Sequence, residues 1–202
     1  MLQMTTSLQN NALAYLGCSG EPDASTLSLF EKAERELAAA VSFRHLRCRL
    51  TDLPALPDFL AKECYGQLRT YLPEASLYVA TLGLETDRLI RRKSANRLAE
   101  AVTLNALANA WLDMEVERTA ENGEVLFCPG YSGTDFSDNI EILNALNATK
   151  LLGIHTAPSG IMIPEKSVAG IMVRGFRFTC KGCLIQSKCE YLKQKKTCYT
   201  NR

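Results

Sequence analysis

One proline and two glycines fall within the eight residues from Cys128 to Asp135, and neither a helix nor a central strand can run through them. Proline has no N–H to give to a ladder, and glycine frees the backbone for positive φ. Cys128-Pro129-Gly130-Tyr131 therefore opens a shaped loop. A tyrosine in such a loop either plugs the core under a tight turn or offers its ring and phenol to a ligand.

On the N-terminal side of this loop the periodicity is mostly helical. Asp23 or Ser25 caps a surface helix with Phe30, Ala33, Leu37 and Ala40 inward. Phe43 to Leu50 reads as a strand ending at Thr51-Asp52-Leu53-Pro54. Asp58 opens a second helix, with Leu60, Cys64, Leu68 and Tyr71 on one face and a stop at Pro73. Ser76 to Leu82 is a buried strand closed by Gly83. A short helix over Glu85 to Arg92 follows, then a long one from Ser94 to Arg118 with Leu98, Ala101, Leu104, Ala108 and Leu112 inward. Glu121-Asn122-Gly123-Glu124 is a turn.

After the loop, Asp138 and Glu141 form a capping-box pattern for a helix through Leu146. Leu151-Leu152-Gly153-Ile154 leads to a turn at Pro158-Ser159-Gly160. Ser167 to Phe178 is the strongest strand of the chain, with Val168, Ile171, Val173, Phe176 and Phe178 around Gly170 and Gly175. These elements predict an α+β fold with helices covering one face of a sheet. There is no internal repeat.

Composition narrows the function classes. At 202 residues and 47% hydrophobic content, one compact domain with an appendage is expected. Twenty-three Lys and Arg against 22 Asp and Glu leave no basic field for nucleic acid. No apolar run approaches the roughly 20 residues of a membrane span. Met1 to Gly17 lacks the basic start and apolar core of a secretory signal, so the cytoplasm is the expected compartment.

Eight cysteines in a reducing compartment read as thiols rather than a disulfide framework. Cys18, Cys48 and Cys64 stand singly in apolar-periodic segments and read as small buried hydrophobes. Cys180-x-x-Cys183, followed by five intervening residues before Cys189 and eight more before Cys198, has the spacing of a four-thiolate site. Such a set suits tetrahedral zinc or an iron-sulfur cluster. Cys128 is an alternative fourth ligand to Cys198. Lys181, Lys188, Lys193, Lys195 and Lys196 would offset the thiolate charge, or form a plain solvated basic tail.

Four segments carry a resemblance when taken in order. They are Ala80-Thr81-Leu82-Gly83-Leu84-Glu85-Thr86-Asp87-Arg88-Leu89-Ile90-Arg91-Arg92, the alanine-rich helix after it, Phe127-Cys128-Pro129-Gly130-Tyr131, and Pro164-Glu165-Lys166-Ser167-Val168. From Leu77 to Cys189 the chain resembles the activation domain of cobalamin-dependent methionine synthase, most of all its short stand-alone members. The resemblance implies an activation-domain-like α+β fold over 1–178, a twisted antiparallel sheet flanked by helices, followed by a cysteine-rich metal-binding tail over 179–202.

It further implies S-adenosylmethionine in a shallow cleft, presented to cobalamin held by a partner. That partner would be a corrinoid-carrying protein, or a methionine synthase lacking its own activation domain, with an electron donor alongside. The activity would be a methyltransferase-type reductive methylation. The ligand would rest on Cys128, Pro129, Gly130 and Tyr131, with Lys166 and Ser167 lining the cleft and Asp113 near its ammonium group. Tyr131 would be the catalytic residue. A similar three-cysteine tail in short corrinoid-linked relatives favours iron-sulfur over zinc.

The chain departs from that family at the ligand's carboxylate. Leu126 stands where the family has an arginine, and Ala157 and Pro158 replace a threonine and an acidic residue. Lys166 and Arg174 are the cations that could substitute. These departures keep open a second reading, an iron-sulfur or zinc module that docks on a corrinoid or redox partner without S-adenosylmethionine.

Overall fold

The computed structural model of the protein describes residues 6–18, 22–131, 133–177, 186–188 and 192. Its N-terminal half runs α1 (Thr6–Tyr15), α2 (Ala24–Ala40), β1 (Arg44–Arg49), β2 (Ser76–Thr81), α3 (Leu84–Ser94) and α4 (Leu98–Thr119). It continues with β3 (Glu124–Phe127), α5 (Asn139–Ala145), α6 (Ala148–Leu152), β4 (His155–Thr156), β5 (Met162–Ile163) and β6 (Ser167–Arg174). β1, β2, β6 and β3 form an antiparallel sheet in that order, and β4 pairs with β5 alone.

All six residues of β2 are buried, because the sheet is covered on both faces. Leu77 and Val79 of β2, with Ala169, Ile171 and Val173 of β6, enter one core with Phe59, Tyr65, Phe127 and Ile142. Tyr78, Ala80 and Met172 point the other way, into a core built by α1, α2 and α4. The expectation of helices on one face alone is thus corrected. A strand without polar alternation needs cover on both sides, and α5, α6 and residues 58–74 supply the second layer. Each large side chain buried here contributes roughly 1.5–3 kcal/mol.

Asp23 caps α2 as expected, its Oδ1 accepting the Thr26 N–H at 2.8 Å. Residues 58–74 are not the expected helix but three 3-10 turns, Asp58–Ala61, Glu63–Leu68 and Leu72–Glu74. Lys62 is extended between the first two, and contacts across the fold explain the break. Glu141 accepts the Phe59 N–H at 3.2 Å, while Asp138 accepts from both Lys62 Nζ and Tyr65 Oη. These same bonds undo the expected capping box, whose two carboxylates serve the neighbouring segment instead of their own helix. Leu98 is another correction: it is the first residue of α4, which begins only after α3 has ended at Ser94, and it is 69% exposed rather than inward. Cys18 is exposed, and Cys48 and Cys64 are half-buried, so none is the fully buried hydrophobe expected.

Lys93 of α3 ties the helices together. Its ammonium bonds Glu36 of α2 and Glu100 of α4, and Lys32 bonds Glu100 at 2.7 Å. The Lys32 and Lys93 hydrogen bonds hold the Glu100 carboxyl down at about 2. A carboxylate depressed on folding stabilises above its ordinary value and loses that stabilisation as it protonates. The melting temperature should therefore fall as pH drops from about 4.5 toward 2. Glu100→Gln should flatten that fall in calorimetric scans. Among the described residues, no helix is long and apolar enough to cross a membrane.

Candidate functional site

β3 ends at Phe127 because Pro129 cannot continue the ladder. The strand leaves β6 by passing its carbonyl over Gly170, where a Cβ would stand 2.4 Å from the Phe127 oxygen. Beyond it, Gly130 has φ 91 and faces the Phe136 ring. Thr134, buried, locks the turn by accepting the Gly130 N–H at 3.0 Å and donating to the Tyr131 carbonyl at 2.6 Å. Tyr131 is 66% exposed, which removes the reading in which it plugs the core. Thr134→Val should speed hydrogen exchange of the Gly130 amide at least tenfold, while α4 amides stay unchanged. That corresponds to losing a bond worth about 1–2 kcal/mol.

The other matched segments meet one strand away. Asp87 of α3 is buried and accepts the main-chain N–H of both Glu165 and Lys166. Burial raises its pKa, and those two N–H groups oppose the rise. The Lys166 carbonyl accepts the Leu82 N–H at 2.8 Å, and Ser167 Oγ donates to Thr81 Oγ1 at 2.9 Å. The Thr81-Leu82-Gly83 and Glu165-Lys166-Ser167 segments are thereby stitched together.

Lys166 is itself buried, its Nζ donating to Asn109 Oδ1 of α4 at 2.8 Å. Burial lowers its pKa against the pull of Asp87 and Glu165. Beside it lies a cleft of about 180 Å³ lined by Asp87, Ile90, Arg91, Ser94, Asn105, Glu165 and Lys166. The peptide bond from Ile163 to Pro164 is cis.

The antiparallel register fixes how these pieces sit. Phe127 lies opposite Ile171 and Ser167 opposite Thr81, so the end of β3, the start of β6 and the end of β2 share one end of the sheet. Cys128, Pro129, Gly130 and Tyr131 leave from that end, and Lys166 and Ser167 arrive there. Asp113 is half-buried on α4, four residues beyond Asn109, and its Oδ2 accepts from Tyr15 of α1 at 2.6 Å. Leu126 packs against the helix-side core. Cys180, Cys183, Cys189 and Cys198 lie outside the described residues. Among those described, no group of three or more His, Cys, Asp or Glu is placed to hold a metal.

Asp87, Asn109, Thr134 and Tyr65 were not legible as site residues. Thr134 had a local signal, since a threonine three residues after Tyr131 suits a side-chain turn. Asp87 had none, because a carboxylate in the first turn of a helix reads as a match to the helix dipole.

No family model and no curated protein matches the chain. Among solved structures, it is similar to the MetH reactivation domain bound to AdoHcy, with a TM-score of 0.59 and 16% identity. The match covers 86% of this chain and 78% of that one. At that identity the likeness is one of fold. The chain has the fold of a reactivation domain, a mixed α+β structure with a four-stranded antiparallel sheet between helices.

Proposed function

We propose that the protein is a stand-alone activation domain that binds S-adenosylmethionine and supports reductive methylation of cobalamin held by a separate corrinoid protein. The observation that carries this reading is the meeting of the matched segments at one end of the sheet, on a fold shared with a domain solved with S-adenosylhomocysteine. In this reading the ligand rests on Cys128, Pro129, Gly130 and Tyr131, with Asp113 and the Pro164 to Ser167 segment lining its cleft. The exposed Tyr131 ring faces the incoming corrinoid. Calorimetry with S-adenosylhomocysteine tests it, with binding in the micromolar range expected. Folded protein that gives no heat at millimolar ligand would remove the reading.

One observation favours a second reading. Leu126 lies against the apolar helix-side core, so no arginine clamp exists at that position. The spacing of Cys180, Cys183, Cys189 and Cys198 then supports a metal-bearing module that docks on a corrinoid or redox partner without the methyl donor. Four thiolates fit either an iron-sulfur cluster or zinc. Metal analysis of anaerobically purified protein should find stoichiometric iron or zinc, lost in Cys183→Ser. Protein containing neither metal sinks this alternative.

A further inference from the structure

The cleft between α3, α4 and the segment before β6 is lined by charges of both signs, and each has a different freedom. Asp87 has none, since both its oxygens are taken by the main-chain N–H groups of Glu165 and Lys166. Lys166 is more than nine-tenths buried and gives one N–H to Asn109. An ammonium has three donors, so two remain for the cleft. Arg91 and Glu165 stand at the mouth, 81% and 63% exposed and 3.7 Å apart. An exposed pair at that distance is worth little and opens readily. Asn105 is exposed on the rim of the cleft, and among the described residues its amide forms no hydrogen bond.

A ligand of one sign would meet either the two cations, Lys166 and Arg91, or the Glu165 carboxylate favourably and the other unfavourably. A zwitterion satisfies both. Its carboxylate would replace solvent on Lys166 and Arg91 and take the Asn105 amide, and its ammonium would take the Glu165 carboxylate. The cleft, about 180 Å³ in volume, has room for an amino-acid group. Asp87 holds the main chain of Glu165 and Lys166 in place, so the backbone that carries both charges is set before any ligand arrives.

We propose that this cleft binds an α-amino-acid group, with its carboxylate on Lys166 and Arg91 and its ammonium on Glu165. The group has two sources, a free amino acid or the amino-acid end of an S-adenosyl ligand. In the second case the proposal rests on the activation-domain reading, and Lys166 takes over the clamp that Leu126 cannot provide.

Calorimetry on the full chain separates the sources with three probes: L-methionine, S-adenosylhomocysteine, and methylthioadenosine, which lacks the amino-acid group. Lys166→Met should weaken S-adenosylhomocysteine and L-methionine by about tenfold or more and leave methylthioadenosine unchanged. Asn105→Asp, on an exposed helix face where folding is not at stake, should weaken the same two by about threefold. If the wild type binds S-adenosylhomocysteine and both variants bind it equally well, the cleft proposal is overturned while the activation-domain reading stands. Lys166-dependent binding of L-methionine without any binding of S-adenosylhomocysteine would uphold the cleft and remove the adenosyl reading. A folded wild type that binds none of the three overturns both.

Discussion

Gly170→Ala costs the protein about 3 kcal/mol or more of folding stability and removes S-adenosylhomocysteine binding with it. The added Cβ would lie 2.4 Å from the Phe127 carbonyl oxygen and 3.0 Å from its carbon and from Leu126 Cδ1. No rotamer change relieves a clash with main chain. β6 cannot retreat either, because Gly170 is paired with Tyr78 on its other side and Tyr78 is fully buried. β3 must therefore move, and the turn that begins one residue later moves with it.

Phe127 resists such a shift, since its ring stacks edge-on with Tyr65 at 6.0 Å and Phe176 at 5.8 Å. Chemical denaturation measures the loss, and Gly66→Ala is the control. A Cβ at Gly66 meets nothing within 4 Å at an ordinary φ. A Gly170→Ala protein within about 1 kcal/mol of wild type would mean that β3 does not crowd β6 where it departs.

Gly170 also shows what the sequence could and could not reveal. Its place in a Ser-Val-Ala-Gly run marks a strand, and Pro129-Gly130 marks a turn, so both elements were legible. That the two touch, and that the second exists where it does because the first lacks a side chain, needed the register. β3 was missed for a related reason. Its four residues lie between a glycine turn and a proline loop, too short a run for a period of two to register. The residues 58–74 failed in the opposite way, because Leu60, Cys64, Leu68 and Tyr71 repeat at helical spacing. Two carboxylates some 80 residues away in sequence hold their donors in 3-10 turns instead. Tertiary contacts overrode local propensity there. The cleft was half legible, since Lys166 was visible as a cation near the loop, but Asp87 and Asn109 acquire meaning only through folding.

Asp138→Ala should cost about 2–3 kcal/mol, through a group that a list of ion pairs would understate. Lys62 is 46% exposed, so once unpaired it turns to water at little cost. Tyr65 has no such escape. It is 1% exposed, and its hydroxyl donates to Asp138 Oδ2 at 2.9 Å. Burial first, and then the Asp138 carboxylate, hold its pKa well above the ordinary tyrosine value, so it keeps its proton and needs an acceptor.

Without Asp138 the phenol still has the Thr134 hydroxyl within reach, but that hydroxyl already accepts the Gly130 N–H and donates to the Tyr131 carbonyl. The variant therefore forces a choice between an unsatisfied buried phenol and a loosened Gly130-Tyr131 turn. Adding Tyr65→Phe to Asp138→Ala removes the conflict. The double mutant should recover about 1–2 kcal/mol relative to the sum of the single changes.

The pH response gives an independent check. The hydrogen bond to Asp138 raises the Lys62 pKa above its ordinary 10.5. A cation raised on folding stabilises below its unfolded value and loses that contribution as pH rises through the folded one. Wild-type protein should lose a small increment of stability above pH about 10.5, and Asp138→Ala should not. Strictly additive single changes, with the same alkaline response in both proteins, would mean that Asp138 does not join residues 58–74 to the turn.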